Sequence, residues 1–127
     1  MQITLSQILV VGVGGFLGSA LRFVSSNYVQ FYCQDSRFPL GTLFVNLLGC
    51  FLIGFLSARF QAGDVLNKNL SLLVLVGFLG GFTTFSTFGA DTLALLKNGD
   101  AAYAFLNAIG QVVLGVGLVF IGFRVAS

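Results

Sequence analysis

The residues most capable of chemistry lie in one stretch, Gly77–Asp91, which reads GFLGGFTTFSTFGAD. A glycine pair, Gly80-Gly81, precedes a run of threonine, serine and phenylalanine inside a segment otherwise apolar enough to cross a membrane. Glycine pairs loosen a helix, and backbone groups freed at membrane depth are stable only when they are buried in protein or line a wet cavity. The stretch therefore predicts a membrane helix that is broken where something polar passes.

Hydrogen-bond donors are the polar groups that the apolar segments offer at depth. They are amides, hydroxyls and phenylalanine rings, whose edges carry partial positive charge: Asn46, Asn107, Gln111, Thr42, Ser86, Thr87, Phe85 and Phe88. Cation and proton pathways usually need a deep carboxylate, but Asp91 lies toward the exit of its segment and the chain has no glutamate. This donor set favours a small, strongly hydrated anion. Carbonyl groups freed near Gly80 would instead suit a cation such as Na⁺.

Four apolar segments must position these groups. Of the 127 residues, 57% are hydrophobic and 8% are charged, whereas roughly a quarter of a soluble domain is charged. The pattern predicts an all-α membrane protein with one domain, residues 1–127, and four transmembrane helices at about 5–28, 39–60, 70–96 and 101–123. The third helix is predicted to be broken near its middle. Helices joined by such short loops run antiparallel to their neighbours.

Small residues predict where the helices touch. On the first helix, Gly12, Gly15, Gly18 and Ser19 form a stripe of the kind that lets two membrane helices approach closely. On the fourth helix the candidate contact positions are also glycines: Gly110, Gly115, Gly117 and Gly122.

The positive charges give no signal for orientation in the membrane. One side holds Arg22, Arg37 and Lys97, and the other holds three more basic residues, namely Arg59, Lys68 and Arg124. Lysine and arginine bias in short loops sets orientation, so a difference of 3 − 3 = 0 predicts insertion both ways. Two oppositely inserted copies would pair about a two-fold axis in the membrane plane. The sequence thus predicts an antiparallel, dual-topology homodimer.

Three motifs resemble the Fluc (CrcB-type) family of fluoride channels: Gly77–Phe88 (GFLGGFTTFSTF), Gly41–Gly49 (GTLFVNLLG) and Gly14–Arg22 (GGFLGSALR). The resemblance extends over all four segments. It implies a passive, fluoride-selective channel that exports fluoride to relieve its toxicity, with two pores in an antiparallel dimer of the cell inner membrane. Fluoride, a second copy of the chain and the lipid bilayer are then the expected partners, and nucleic acid is not.

The resemblance also implies roles for individual residues. Phe85 and Phe88 match phenylalanines that line the pores, and Asn46 matches the pore asparagine. Gly80 and Thr83 match positions whose backbone carbonyls hold a structural Na⁺ at the dimer axis. The remaining matches are polar positions beside the pores or at the vestibule: Ser86, Thr87, Thr42, Asn107, Gln111 and Arg22.

Two other functions stay open beside the channel. A small dual-topology multidrug or cation exporter depends on a carboxylate in its first helix, and the first segment here has none. A non-transporting membrane subunit would explain the glycine stripes but not the donor-rich stretch. An enzyme is not expected, because the chain has no histidine, no paired carboxylates and no cysteine cluster, Cys33 and Cys50 being predicted as packing thiols. Asp91 stands where the resembling family often has glutamate, and it receives no role.

Overall fold

The computed structural model describes residues 3–34, 37–63 and 67–127. In this part of the chain, four helices are long and apolar enough to cross a membrane: α1 (Leu5–Tyr32), α2 (Leu40–Gln61), α3 (Lys68–Lys97) and α4 (Ala101–Ala126). The protein is therefore an all-helical, multi-pass membrane protein. The predicted loop residues Asp35, Ser36 and Asp64 lie outside the described residues.

The helix ends differ in places from those predicted. α1 begins with a capping box, in which the Gln7 N–H donates to the Thr4 hydroxyl at 3.3 Å and the Thr4 N–H donates to Gln7 Oε1 at 3.1 Å. It ends at Tyr32 rather than near residue 28. α2 begins at Leu40, so Pro39 is its N-cap and not its first helical residue.

The third helix, α3, is built from several pieces. In order they are α-helical Lys68–Ser71, Leu72–Leu79 with the wider i→i+5 hydrogen bonds, α-helical Gly80–Phe82, and α-helical Phe85–Lys97. Between the last two pieces the backbone is extended at Thr83 (φ −87°, ψ 160°) and Thr84 (φ −152°, ψ 120°). Gly80 keeps helical angles (φ −62°, ψ −36°). The extended backbone thus lies at the two threonines that follow the glycine pair.

The first helix packs on the first half of α3 through two glycines. Gly14 and Gly18 are buried. A Cβ at Gly14 would collide with the Leu73 carbonyl, and one at Gly18 with the Phe78 carbonyl. Gly12 was also predicted to belong to a contact surface; within the single chain a Cβ there would have nothing within 4 Å, so Gly12 takes no part in this contact. The i, i+4 pair Gly14 and Gly18 brings the two backbones together.

The second and fourth helices also form an extensive helix pair, and glycines again allow the close approach. A Cβ at Gly54 of α2 would collide with the Val119 carbonyl of α4. The α4 glycines predicted at contacts divide into two kinds. Gly115 and Gly122 are buried against α2, as predicted, whereas Gly110 and Gly117 have nothing within 4 Å of a Cβ and make no contact within the single chain.

The outer surface of the four helices is apolar. The chain exposes 8088 Å², whereas a compact soluble protein of 13.5 kDa exposes about 6,500 Å². Large side chains such as Phe16 (72% exposed) and Val116 (68% exposed) point outward. The largest fully buried side chains are those of Leu79, Val45 and Asn107, and of these only Asn107 is polar. A buried amide in a membrane protein requires partners, and those partners belong to the site described next.

Candidate functional site

An open groove of about 330 Å³ lies between α2, α3 and α4. Predicted site residues from all three helices line it: Asn46, Gln111, Phe85, Phe88, Gly80 and Thr83. Gly49, Cys50 and Ile53 continue the lining along α2. The other predicted site residues, Thr42, Ser86, Thr87, Asn107 and Arg22, are not part of this lining, and their positions are given below.

The side chain of Asn46 forms the hydrogen bonds that the backbone groups of Thr84 would otherwise form within a helix. The Thr84 N–H donates to Asn46 Oδ1 at 2.8 Å, and Asn46 Nδ2 donates to the Thr84 carbonyl at 3.1 Å. Both backbone groups of an extended residue are thereby satisfied inside the protein, as burial requires. Gly49 lies three residues further along α2, and a Cβ there would collide with the Thr83 methyl group. The amide and the glycine together explain how α2 packs against the extended segment.

A chain of hydrogen bonds runs from Asn46 through α4 and back to α3. Asn46 Nδ2 also donates to Gln111 Oε1 at 2.8 Å, and Gln111 Nε2 donates to Asn107 Oδ1 at 2.8 Å. Asn107 Nδ2 then donates to Thr92 Oγ1 at 2.9 Å, and the Thr92 hydroxyl donates to the Phe88 carbonyl at 2.8 Å. We call these four side chains, Asn46, Gln111, Asn107 and Thr92, the amide relay. It places the predicted residue Asn107 behind the groove, because Asn107 is fully buried.

The helical piece Phe85–Lys97 begins inside the third span. Thr84 is its N-cap, and the Thr84 hydroxyl accepts from the Thr87 N–H at 3.3 Å. Within the described part of the chain, the N–H groups of Phe85 and Ser86 have no hydrogen-bond acceptor. Free N–H groups at a helix N-terminus, together with the helix dipole, favour a negative charge. This end of the helix adjoins the groove, since Thr84 and Phe85 both line it.

Two aromatic rings and three hydroxyl groups surround this helix start. The ring centroids of Phe85 and Phe88 are 5.4 Å apart, with the rings tilted by 40°. Phe85 is 83% exposed in the single chain. The Thr84 hydroxyl lies 3.1 Å from the Thr87 hydroxyl and 3.4 Å from the Ser86 hydroxyl. The predicted residues Ser86 and Thr87 therefore form one hydroxyl cluster with Thr84.

Thr42 bonds to the one carboxylate that the third span carries among the described residues. The Thr42 hydroxyl donates to Asp91 Oδ2 at 2.7 Å. Thr42 is buried and Asp91 is half-buried. This hydrogen bond joins α2 to the second half of α3. The hydrogen of the Thr42 hydroxyl is therefore engaged by Asp91 in this arrangement.

Two backbone carbonyls next to the extended residues are left without a hydrogen-bond donor. In a continuous helix the carbonyls of Gly80 and Thr83 would accept from the N–H groups of Thr84 and Thr87. Those N–H groups donate instead to Asn46 Oδ1 and to the Thr84 hydroxyl. Within the described residues the two carbonyls accept no other hydrogen bond. Carbonyl oxygens of unwound helices are ligands that suit Na⁺, so the chemistry of Gly80 and Thr83 fits such an ion.

Arg22 of α1 is bound to the same part of α3. Its Nε donates to the Gly81 carbonyl at 3.1 Å, and the residue is half-buried. The observed hydrogen bond holds a helix end, because it satisfies a carbonyl in the helical piece Gly80–Phe82 just before the extended residues.

Sequence reasoning missed two contributors to this arrangement. Thr92 was not predicted to belong to the site, although it lies one helical turn after Phe88 and orients Asn107. The backbone of Thr84 was missed as the partner of Asn46. A signal for Thr92 exists in the pattern, because a hydroxyl one turn beyond a predicted pore residue lies on the same helix face. No comparable signal marks which backbone group a distant amide will meet.

Comparisons with known proteins find relatives that match nearly the whole chain. A model of the family described as CrcB-like protein, Camphor Resistance (CrcB), matches residues 9–123. The chain is 45% identical over 123 residues to the fluoride-specific ion channel FluC of Dehalococcoides mccartyi strain BAV1, covering 97% of this chain and 94% of the relative.

Proteins of the same name in other bacteria match over similar lengths. The relative from Elusimicrobium minutum is 45% identical over 123 residues, covering 97% of this chain and 95% of its own. The relative from Methylobacillus flagellatus is 40% identical over 121 residues, covering 95% of this chain and 94% of its own. Because the family model and these relatives match from α1 to α4, the chain belongs to the CrcB family.

Proposed function

We propose that the protein is a passive, fluoride-selective ion channel, not an enzyme, and that it exports fluoride to relieve fluoride toxicity. The ion is suggested by the relatives, which are named fluoride-specific ion channels. In this chain, one observation carries the proposal: the extended backbone at Thr83 and Thr84 leaves the N–H groups of Phe85 and Ser86 without an acceptor beside the groove. These are donors positioned for an anion.

Fluoride is small and strongly hydrated, so it enters a membrane protein only where other donors replace its water. Preorganised N–H and O–H donors and positive ring edges stabilise such a charge in a site of low dielectric constant. In the proposed pore, Phe85 and Phe88 present ring edges, while Asn46, Ser86 and Thr87 contribute polar donors. The remaining predicted residues support these groups or the pore entrance: Thr42, Asn107, Gln111 and Arg22.

A second, inverted copy of the chain completes the pores. Phe85 is 83% exposed and the groove is open to one side in the single chain, which is consistent with a partner covering both. The balance of basic residues, 3 − 3 = 0, favours insertion in both orientations. Each copy, a single four-helix domain of residues 1–127 whose third span acts as a broken helix, contributes to two pores in the cell inner membrane.

A structural Na⁺ lies at the axis of this dimer in the proposal. The carbonyls of Gly80 and Thr83 from both copies would hold it, since these oxygens have no donor within the described part of the chain. When bound, the ion supplies a positive charge that joins the two copies. The melting temperature of the purified dimer should then fall when Na⁺ is replaced by the bulky N-methylglucamine cation, and an unchanged melting temperature would argue against the ion.

The decisive experiment is ion efflux from liposomes that contain the purified protein. Liposomes loaded with fluoride are expected to release it without any energy source or counter-transported ion, whereas liposomes loaded with chloride retain their content. Equal release of both ions, or of neither, would contradict a fluoride channel. Fluoride release that requires a proton gradient would favour the exporter class instead.

The orientation of the chain in the membrane can be tested by adding lysines to the loops on one side. Gln34→Lys with Asn98→Lys raises the basic count on one side to five against three, and Ala62→Lys with Ser127→Lys does the same for the other side. Each double variant alone should insert in one orientation and conduct no fluoride. Co-expression of the two should restore fluoride efflux, because oppositely oriented copies can pair again. Full efflux from either double variant alone would rule out the antiparallel dimer.

A further inference from the structure

The direction of every hydrogen bond in the amide relay is determined by the backbone groups at its two ends. The Phe88 carbonyl can only accept, so the Thr92 hydroxyl donates to it and its oxygen accepts from Asn107 Nδ2. Asn107 therefore turns Oδ1 toward Gln111, and Gln111 turns Oε1 toward Asn46.

The other end of the amide relay requires the same direction. The Thr84 N–H can only donate, so Asn46 must turn Oδ1 toward it and Nδ2 toward Gln111. The orientation of a side-chain amide is normally assigned from its hydrogen-bond network. In this network both termini are backbone groups of fixed polarity, and they assign the same orientation to all three amides.

This orientation leaves Asn46 without a free hydrogen. Its Nδ2 carries two, of which one goes to the Thr84 carbonyl at 3.1 Å and the other to Gln111 Oε1 at 2.8 Å. The bond to Thr84 supports the extended backbone and cannot be given up without freeing that carbonyl. An anion in the groove that binds Asn46 must therefore replace Gln111 Oε1.

We propose that Gln111, oriented by Asn107 and Thr92, is a positioning residue that competes with the permeating anion for one Asn46 Nδ2 hydrogen. Asn107 is fully buried, so it acts through Gln111 and not on the ion. The inference rests on the proposed anion channel and concerns how firmly the ion is held at Asn46. A competing acceptor weakens binding, and conduction requires an ion to be bound firmly enough to enter and weakly enough to leave.

Two substitutions remove the competition by different routes. Gln111→Met deletes the competing oxygen while keeping a long, unbranched side chain. Thr92→Val keeps the shape of Thr92 but removes the oxygen that orients Asn107, so Asn107 can turn Nδ2 toward Gln111 Oε1 once an anion has displaced that oxygen from Asn46. Thr92→Ser preserves the hydroxyl and therefore the direction of the relay.

The fluoride concentration that gives half-maximal efflux is the measurement of choice. It should fall about fivefold in Gln111→Met and in Thr92→Val, the equivalent of one net hydrogen bond. It should be unchanged in Thr92→Ser and in the control Ser19→Ala, whose hydroxyl donates to the Phe16 carbonyl within α1 at 3.1 Å. A relay that only holds helices together would lower the melting temperature of the first two variants without moving this concentration.

If the half-maximal concentration is unchanged in both variants while the wild-type protein conducts fluoride, the competition is contradicted but the proposed channel function is not. Absence of fluoride efflux from the wild-type protein overturns both. If neither variant assembles, the wild-type protein with isotopically labelled asparagine and glutamine decides by NMR. Fluoride, and not chloride, should then shift the side-chain N–H signals of Asn46 and Gln111 together, and signals that stay in place at saturating fluoride overturn the proposal.

Discussion

The two halves of the third span are held by their neighbours in different ways. The first half meets α1 backbone to backbone at Gly14 and Gly18, which we call the glycine contact. The second half meets α2 and α4 through the amide relay. In lipid, helices gain little from hiding apolar surface against each other, so close packing and hydrogen bonds must hold them together. The first half depends mainly on close packing, and the second half mainly on hydrogen bonds.

The glycine contact supports the fold, whereas the amide relay includes the side chains proposed to act in the channel. The glycine contact offers an ion nothing, because it consists of apolar surface and backbone carbonyls that serve their own helices. Of the amide relay, Asn46 and Gln111 line the groove, which is where we propose that the ion passes. The extended residues Thr83 and Thr84 lie where one kind of contact gives way to the other. On the α1 side, Arg22 holds the Gly81 carbonyl at this junction.

The largest effect is expected from a single methyl group in the glycine contact. Gly18→Ala places a Cβ against the Phe78 carbonyl, a backbone atom that cannot move away without shifting α3. We expect a loss of about 3 kcal/mol or more in the free energy of unfolding, with failure of the protein to assemble. Size-exclusion chromatography and thermal melting measure this.

Gly12→Ala is the matched control, because the same methyl group on the same helix meets nothing within 4 Å. It should assemble and conduct as the wild type does. Equal behaviour of the two alanine variants would show that backbone contact does not hold α1 to α3.

The next largest effect is expected in the amide relay, and it concerns flux more than assembly. Asn46→Asp keeps the shape of the side chain but places an acceptor opposite the Thr84 carbonyl and Gln111 Oε1, and its charge repels an anion. Fluoride efflux should fall roughly 10- to 100-fold, the loss of one hydrogen bond to a charged group. Asn27→Asp is the control, since Asn27 is exposed and its Nδ2 donates within α1 to the Phe23 carbonyl at 2.7 Å. Normal efflux in Asn46→Asp would show that Asn46 does not contribute to fluoride conduction.

A smaller effect is expected from the aromatic rings beside the relay. Phe85→Ile and Phe88→Ile keep an apolar side chain but remove the positive ring edge, so fluoride efflux should fall about tenfold while the dimer still forms. Phe16→Ile serves as the control, because Phe16 is an exposed ring of α1 that does not line the groove. If both groove variants conduct normally, the ring edges do not contact the ion.

The smallest effect is expected where a glycine faces a side chain and not a backbone. A Cβ at Gly115 would lie 3.2 Å from the Cys50 sulfur, which can rotate aside. Gly115→Ala should therefore lower the free energy of unfolding by less than about 1 kcal/mol. Gly122→Ala provides the contrast, because its Cβ would collide with the Phe51 carbonyl. Similar melting temperatures for these two variants would contradict the distinction between backbone and side-chain neighbours.

Some features of the site follow directly from the sequence because they depend on local pattern. Asn107 and Gln111 share a face of α4 owing to their spacing of four residues, and the structure joins them directly. A glycine contact surface on α1 was predicted correctly and Gly18 belongs to it, but the predicted set included Gly12 and left out Gly14. Spacing alone allows several i, i+3 and i, i+4 sets in a glycine-rich helix, and only the neighbouring helix selects one of them.

The sequence by itself determined that this is a membrane protein of four apolar helices, with hydroxyls concentrated in its third segment and amides in the second and fourth. Length and hydropathy decide these features, because a bilayer accepts only such segments. Tertiary structure alone decided that Thr83 and Thr84 are extended, that Asn46 closes the gap at Thr84, and that Thr92 orients a buried asparagine. Those outcomes depend on which backbone groups three separate helices bring within hydrogen-bond distance. No pattern within one helix contains that information.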